Sequence, residues 1–345
     1  MRSKTNTDFI SADGENYYVK YPLQQIDKKL PLKTLSAADF EHWQKYGYVI
    51  VKNAISRKKA RALFDASCQF QGIDSKKPDT WYSEKTFATE LEEHLYIYGF
   101  VEMYQHQLLW DIRQDERIYN AFVDIWDTES LWTTLDRINL NPPNRENRSR
   151  VKIPKTEQGF DINLHWDVDT KSALKPQRVQ GIVALTDSDD SSGGFQCCPR
   201  LFNEYQQWLT SQPDDRDPIR PNIDSDEYPI VQPKLAAGDL LIFNGWLAHG
   251  VKENSSKDKI RSVFYLSMMP AIYEQQQLTK SRIDSWQHLT TPCWNKTLIG
   301  DQTKHEKLRY GPATLTPLGQ KLLGQVSWFE EEKHQEKCPK GGKHE

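Results

Sequence analysis

The chain has 345 residues, enough for a substantial core, and its 45 Lys+Arg are nearly balanced by 48 Asp+Glu with no long basic block. That excludes the electrostatic footprint expected of a nucleic-acid or anionic-membrane binder. No window approaches the ~18 consecutive apolar residues of a membrane span, and the opening MRSKTNTDFISADGENYYVKYPL has no apolar targeting segment, so a soluble, cytoplasmic protein is expected.

Five cysteines (Cys68, Cys197, Cys198, Cys293, Cys338), with no Cys-x-x-Cys pair, read as free thiols in a reducing compartment. Residues 1–35 lack periodicity and read as an arm lying over the domain. A helix begins at Ser36, where Ser36 and Asp39 form a capping-box pair and Phe40 and Trp43 start an apolar face; Gly47 ends it. Tyr48-Val49-Ile50-Val51 reads as a strand, and Ser56 as the cap of a second helix with Ala60, Leu63, Phe64 and Ser67 on one face. From Thr89 to about Trp132, Leu91, Leu95, Tyr98, Val101 and Met103, then Ile118, Phe122, Ile125 and Trp126, recur at helical spacing. Residues 36–134 are therefore read as a helical part stacked on a sheet.

After Asn141-Pro142-Pro143 the period changes to two. Asp161, Asn163, His165 and Asp167 share one face, and Ile162, Leu164 and Trp166 the other. Val179 to Leu185 is a strand closed by the turn-rich Asp187–Gly194, and Phe195 to Cys198 resumes β-structure. A polar excursion from Gln212 to Tyr228 reads as a surface loop, followed by strands at Leu240–Phe243 and Ile260–Met268. Short strands between turns predict an α+β protein with a β-sandwich or jelly-roll core over 135–275. Residues 276–329 read as an extension with a helix inside Thr316–Phe329, and 330–345 as a charged tail.

The chemistry-bearing stretch is His165-Trp166-Asp167. Residues i and i+2 of a strand project from one face, so this imidazole and carboxylate can grip one ion. His249 follows the apolar Phe243–Ala248 run, from which it could return beside the pair. Arg261, entering an apolar strand, needs a buried partner, and its planar fork suits a carboxylate. The plain structural readings are a surface pair, a core histidine bonded to a carbonyl, and an edge arginine paired to Asp258. His94 and His106 read as structural or pocket-lining.

The ordered set His165-Trp-Asp167, Ala184-Leu-Thr-Asp187, Gly193-Gly194-Phe, Gly238-Asp239-Leu, His249-Gly250 and Arg261-Ser262 resembles the phytanoyl-CoA dioxygenase family of iron(II)- and 2-oxoglutarate-dependent oxygenases. With Gly47-Tyr-Val-Ile-Val-Lys-Asn the similarity runs from about residue 36 to 271. The resemblance implies a double-stranded β-helix (jelly roll, cupin-like) packed against N-terminal helices, iron(II) held by His165, Asp167 and His249, and Arg261 on the distal carboxylate of 2-oxoglutarate. Oxygen and the keto acid would yield succinate, carbon dioxide and an oxidant that removes hydrogen from a small-molecule substrate, most directly giving hydroxylation. Related halogenases lack the carboxylate that Asp167 supplies, which favours oxygenation. The chain departs from the family at Pro199-Arg200-Leu201, where bulky and basic residues replace a small residue and a histidine. Strand parity points Gln180 toward 2-oxoglutarate, and adjacency makes Asn163, Trp166 and Trp246 candidate substrate contacts. An acyl-CoA substrate for the same chemistry and a non-catalytic jelly-roll binding protein are the alternatives.

Overall fold

The computed structural model describes residues 9–12, 17–19, 22–82, 86–144, 164–172, 176–224, 226–292 and 298–329. Its centre is a six-stranded antiparallel sheet in the order Tyr48–Val51, Leu240–Asn244, Val179–Ala184, Arg261–Tyr265, Ile138–Asn141, Phe100–Val101. The continuous apolar run Leu240–Phe243 fits a strand covered on both faces. Leu240 and Ile242 join the large core beneath the helices, whereas Leu241 and Phe243 belong to a second cluster on the opposite face.

Across that second face lies a smaller sheet, Gly194–Cys197 paired with His249–Lys252, extended by single bridges from His165 to His249 and from Val231 to Cys197. The two sheets enclose Phe195, Leu235 and Phe243 in the jelly-roll manner. The helices Arg57–Gln71 and Glu116–Trp126 cover the outer face through Leu63, Phe64, Phe122 and Ile125.

Local signals explain the boundaries. Ser36 caps Ala37–Tyr46 as a full capping box, and Gly47 ends that helix at φ 77°. Ser56 caps Arg57–Gln71. The helical run expected from Thr89 is shorter than the spacing suggested: Glu90–Ile97 stops before Gly99, and Phe100–Val101 joins the sheet edge. At φ +81° Gly99 approaches Leu140 O so closely that a Cβ would sit 2.6 Å away, which is why no other residue fits. Leu91 and Tyr98, counted as an apolar face, are exposed. Ile260–Met268 divides into Arg261–Tyr265 and Met268–Pro270, and the helix expected in 316–329 spans Pro317–Leu323, ended by Gly324 at φ 94°. Cys68, Cys197 and Cys198 are buried free thiols, and Cys293 and Cys338 lie outside the described residues.

Segments before the first helix and after the last strand are fastened to this frame. Backbone N–H groups of Lys29, Leu30, Lys33, Thr34 and Leu35 donate to the carboxylates of Asp127 and Asp124 at the end of Glu116–Trp126. Buried Arg282, in the helix Gln276–His288, donates to Leu322 O, Leu323 O and Thr133 O. No helix of the described residues is long and apolar enough to cross a membrane.

Candidate active site

His165 and His249 are locked together by their main chains: His165 N donates to His249 O at 2.8 Å and His249 N to His165 O at 3.0 Å. His165 belongs to no longer strand, so this one bridge does the work expected of a full pleat. The i, i+2 alternation nevertheless holds. Trp166 and Val168 are buried in a cluster away from the cavity that His165 and Asp167 enter, and Leu164 belongs to that cluster while also reaching the cavity edge.

One donor atom from each of His165, Asp167 and His249 lies within 4.8 Å of the other two. Nε2 of His165 is 3.6 Å from Asp167 Oδ1, and Nε2 of His249 is 3.2 Å from Asp167 Oδ2. Nδ1 of His249 sits 2.9 Å from Leu247 O. A carbonyl can only accept, so Nδ1 carries a proton and Nε2 is the ring nitrogen turned to the cluster. Burial works to raise the Asp167 pKa, but the His249 charge, bonds from both histidines and the Arg178 charge hold it well below the usual carboxylate range. Gln180 donates its amide to Asp167 Oδ2 and so fixes the carboxylate. Two imidazole nitrogens and one carboxylate on one wall, with open space opposite, form a donor set that fits a ferrous ion.

The cavity encloses about 650 Å³, within the range of small-molecule sites. Gln180, Ile182 and Ala184 from one strand and Arg261, Val263 and Tyr265 from its neighbour form one wall; Phe195 and Val251 face them. Arg261 is 5% exposed, and its Nη1 donates to Ser192 O at 2.9 Å and Lys252 O at 3.0 Å. Among the described residues no carboxylate pairs with it, Asp258 included. Burial lowers its pKa to about 10, which leaves it charged at neutral pH. A buried cation held by carbonyls and opening on a cavity is suited to an incoming carboxylate.

The other expected contacts fall differently. Gln180 faces the cavity, with its amide on Asp167. Trp166 does not line the cavity: it packs edge-on against Tyr205 and Trp208 at 5.9 and 5.6 Å, on the opposite side of the backbone from His165 and Asp167. Trp246 opens on a separate cleft of about 240 Å³ beside Gln24, Gln44 and Gln177, because the Asn244-Gly245 turn carries it away. Asn163 lies outside the described residues. His94 packs on Tyr98, and His106 caps the helix Gln107–Arg113.

Sequence reasoning passed over Asp136, Arg137 and Arg178, all of which line the cavity. A signal was present: Arg137, just before the strand Ile138–Asn141, and Asn139 and Asn141 within it form a polar face at period two where an apolar one would mark core.

The sequence profile described as phytanoyl-CoA dioxygenase matches residues 43–263. A protein of Aspergillus versicolor called Ava biosynthesis cluster protein O is 20% identical over 269 residues, spanning 72% of this chain and 82% of its own. A Dictyostelium discoideum protein provisionally named phytanoyl-CoA dioxygenase is 20% identical over 294 residues, with the same shares of 72% and 82%. Among solved structures, the GlcNAc Inducible Gene 2 product of Candida albicans superposes with a TM-score of 0.57 at 14% identity, covering 85% of this chain and 77% of that one, a likeness of fold. With the profile spanning well over half of its length, the chain belongs to the phytanoyl-CoA dioxygenase family of iron- and 2-oxoglutarate-dependent oxygenases.

Proposed function

We propose that this enzyme hydroxylates a C–H bond of a small-molecule metabolite, using iron(II), 2-oxoglutarate and oxygen and releasing succinate and carbon dioxide. The observation that carries the reading is the His165, Asp167 and His249 cluster opening on the same cavity as the uncompensated guanidinium of Arg261. Bound iron and keto acid supply the oxidising power. The protein's part is positional. His165, Asp167 and His249 hold the ion from one side, Gln180 holds Asp167, and Arg261 takes the distal carboxylate of the keto acid. The aromatic wall of Phe195, Phe243 and Tyr265 excludes water when the substrate fills the remaining space.

Anaerobic titration with iron(II) and 2-oxoglutarate is expected to give a visible metal-to-ligand band that His165→Ala abolishes. A succinate-release screen across metabolite classes then identifies the substrate. Retention of substrate-dependent succinate formation in His165→Ala would sink the assignment.

A further inference from the structure

Arg178 lies on the cavity wall between the short strand Pro176–Gln177 and Val179–Ala184. Among the described residues its guanidinium makes one hydrogen bond, a long one, 3.5 Å from Nη1 to the backbone carbonyl of Asp167. No carboxylate of the described residues is in ion-pair contact with it. Asp136 faces the same cavity and feels the Arg178 charge, yet its carboxylate accepts the backbone N–H of Arg137 at 2.8 Å and leaves Arg178 unpaired.

Among the described residues, Arg137, Arg178, Arg220 and Arg261 face Asp136 and Asp167 across the cavity, and Arg137 is neutralised from behind by Glu102 at 3.0 Å. With Arg220 exposed at the rim, the inward charges balance in number, and what sets Arg178 apart is contact. Asp167 is bonded to Gln180 and lies between the two histidines, Asp136 is bonded to the Arg137 N–H, and neither carboxylate touches the Arg178 guanidinium, most of whose N–H donors are left to the cavity. While water fills the cavity this costs little; once a substrate expels the water, a guanidinium whose donors are unmet becomes expensive. A neutral substrate incurs that cost, and an anionic one removes it. Arg220, exposed at the rim on the 212–228 loop, adds a field of the same sign along the approach.

We infer that the substrate of this site carries an anionic group, a carboxylate being the simplest, and that Arg178 receives it. The inference deepens the reading above and rests on it.

The test uses the full chain loaded anaerobically with manganese(II) and 2-oxoglutarate, so that Arg261 is already occupied. Benzoate, phenylacetate and 4-phenylbutyrate are each compared with the corresponding primary amide by thermal shift. At least one acid is expected to stabilise the loaded protein beyond its amide, and Arg178→Gln is expected to weaken that acid by at least about tenfold. Arg178→Lys, which keeps the charge, should retain the preference for acid over amide. The shift caused by manganese(II) and 2-oxoglutarate themselves should persist in both variants, which reports that each is folded with an intact metal site. Amides that bind as well as acids, no acid that binds, or an unchanged acid preference in Arg178→Gln overturns the inference. Absence of any shift with manganese(II) and 2-oxoglutarate in the unaltered protein is a separate result: it overturns the metal and keto-acid reading, and the inference falls with it.

Discussion

His249 Nε2 approaches Asp167 Oδ2 to 3.2 Å, and the carboxylate is thereby held between two imidazoles before any metal arrives. Asp167→Ala is expected to abolish both the anaerobic visible band and succinate formation while leaving the circular dichroism spectrum unchanged. The pH behaviour follows from the depressed carboxylate. Its contribution to stability is complete above the unfolded value of 3.8 and is lost only as pH falls through the lower folded value. Acid titration of the metal-free protein should therefore show no loss assignable to Asp167 above 3.8, measured as the difference between the unaltered chain and Asp167→Asn.

Gln180 donates to Asp167 Oδ2 and is not itself in the donor cluster. Removing such a support typically lowers metal affinity by about 10–100-fold. Gln180→Leu should show that loss in an iron(II) titration, and Gln180→Glu a larger one, since it sets a second carboxylate against the first. Unchanged affinity in both would show that Asp167 needs no support.

Arg261 is the buried cation whose fork meets two carbonyls on one side and the cavity on the other. Charge-assisted hydrogen bonds contribute roughly 1.5–3 kcal/mol, so Arg261→Gln should weaken 2-oxoglutarate by about ten- to a hundredfold with iron affinity little altered. Arg261→Lys should recover only part of this, because an ammonium cannot reproduce the planar fork. The measurement is the keto-acid dependence of the visible band, compared with iron binding alone.

Gly193 sits at φ +66°, and a Cβ there would lie 2.0 Å from Glu253 O and 2.4 Å from Lys252 O. Left-handed backbone costs an ordinary residue roughly 1–2 kcal/mol, and this contact adds to it. Gly193→Ala should lower the denaturation midpoint and, because Ser192 O and Lys252 O are the acceptors of Arg261, should also weaken 2-oxoglutarate.

Glu306 accepts the backbone N–H groups of Tyr104 and Gln105, both at 2.8 Å, and joins the C-terminal segment to the start of Gln107–Arg113. Burial raises its pKa to about 7 despite those two donors. The folded chain therefore holds this proton more tightly than the unfolded one. The contribution is complete below the unfolded value of 4.5 and is lost as pH rises through about 7. Thermal melts should show stability falling across that window, with Glu306→Gln flattening the slope. An equal slope in the variant would assign it to other groups.

The alternation around His165 was legible without any structure, because apolar and polar residues take turns there. Trp166 was misplaced by arguing from adjacency: the same alternation that points His165 and Asp167 inward sends Trp166 to the opposite side. The helix expected across Tyr98 to Met103 failed for a different reason. Helical spacing can persist by chance through a glycine, and the contact that forces the break, Gly99 against Leu140 O, joins residues distant in sequence. Arg178 was invisible for the same kind of reason. Its significance lies in what does not pair with it, and only the packed cavity reveals that.

The exchange of main-chain hydrogen bonds between His165 and His249 has a consequence for change at this site. Each position is held by backbone atoms that every non-proline residue possesses, so the frame specifies where the two donors stand and not what they are. Replacing an imidazole alters the chemistry offered to the ion and leaves its address intact. A chain built this way can exchange one reactivity for another by single substitutions, with no need to fold anew.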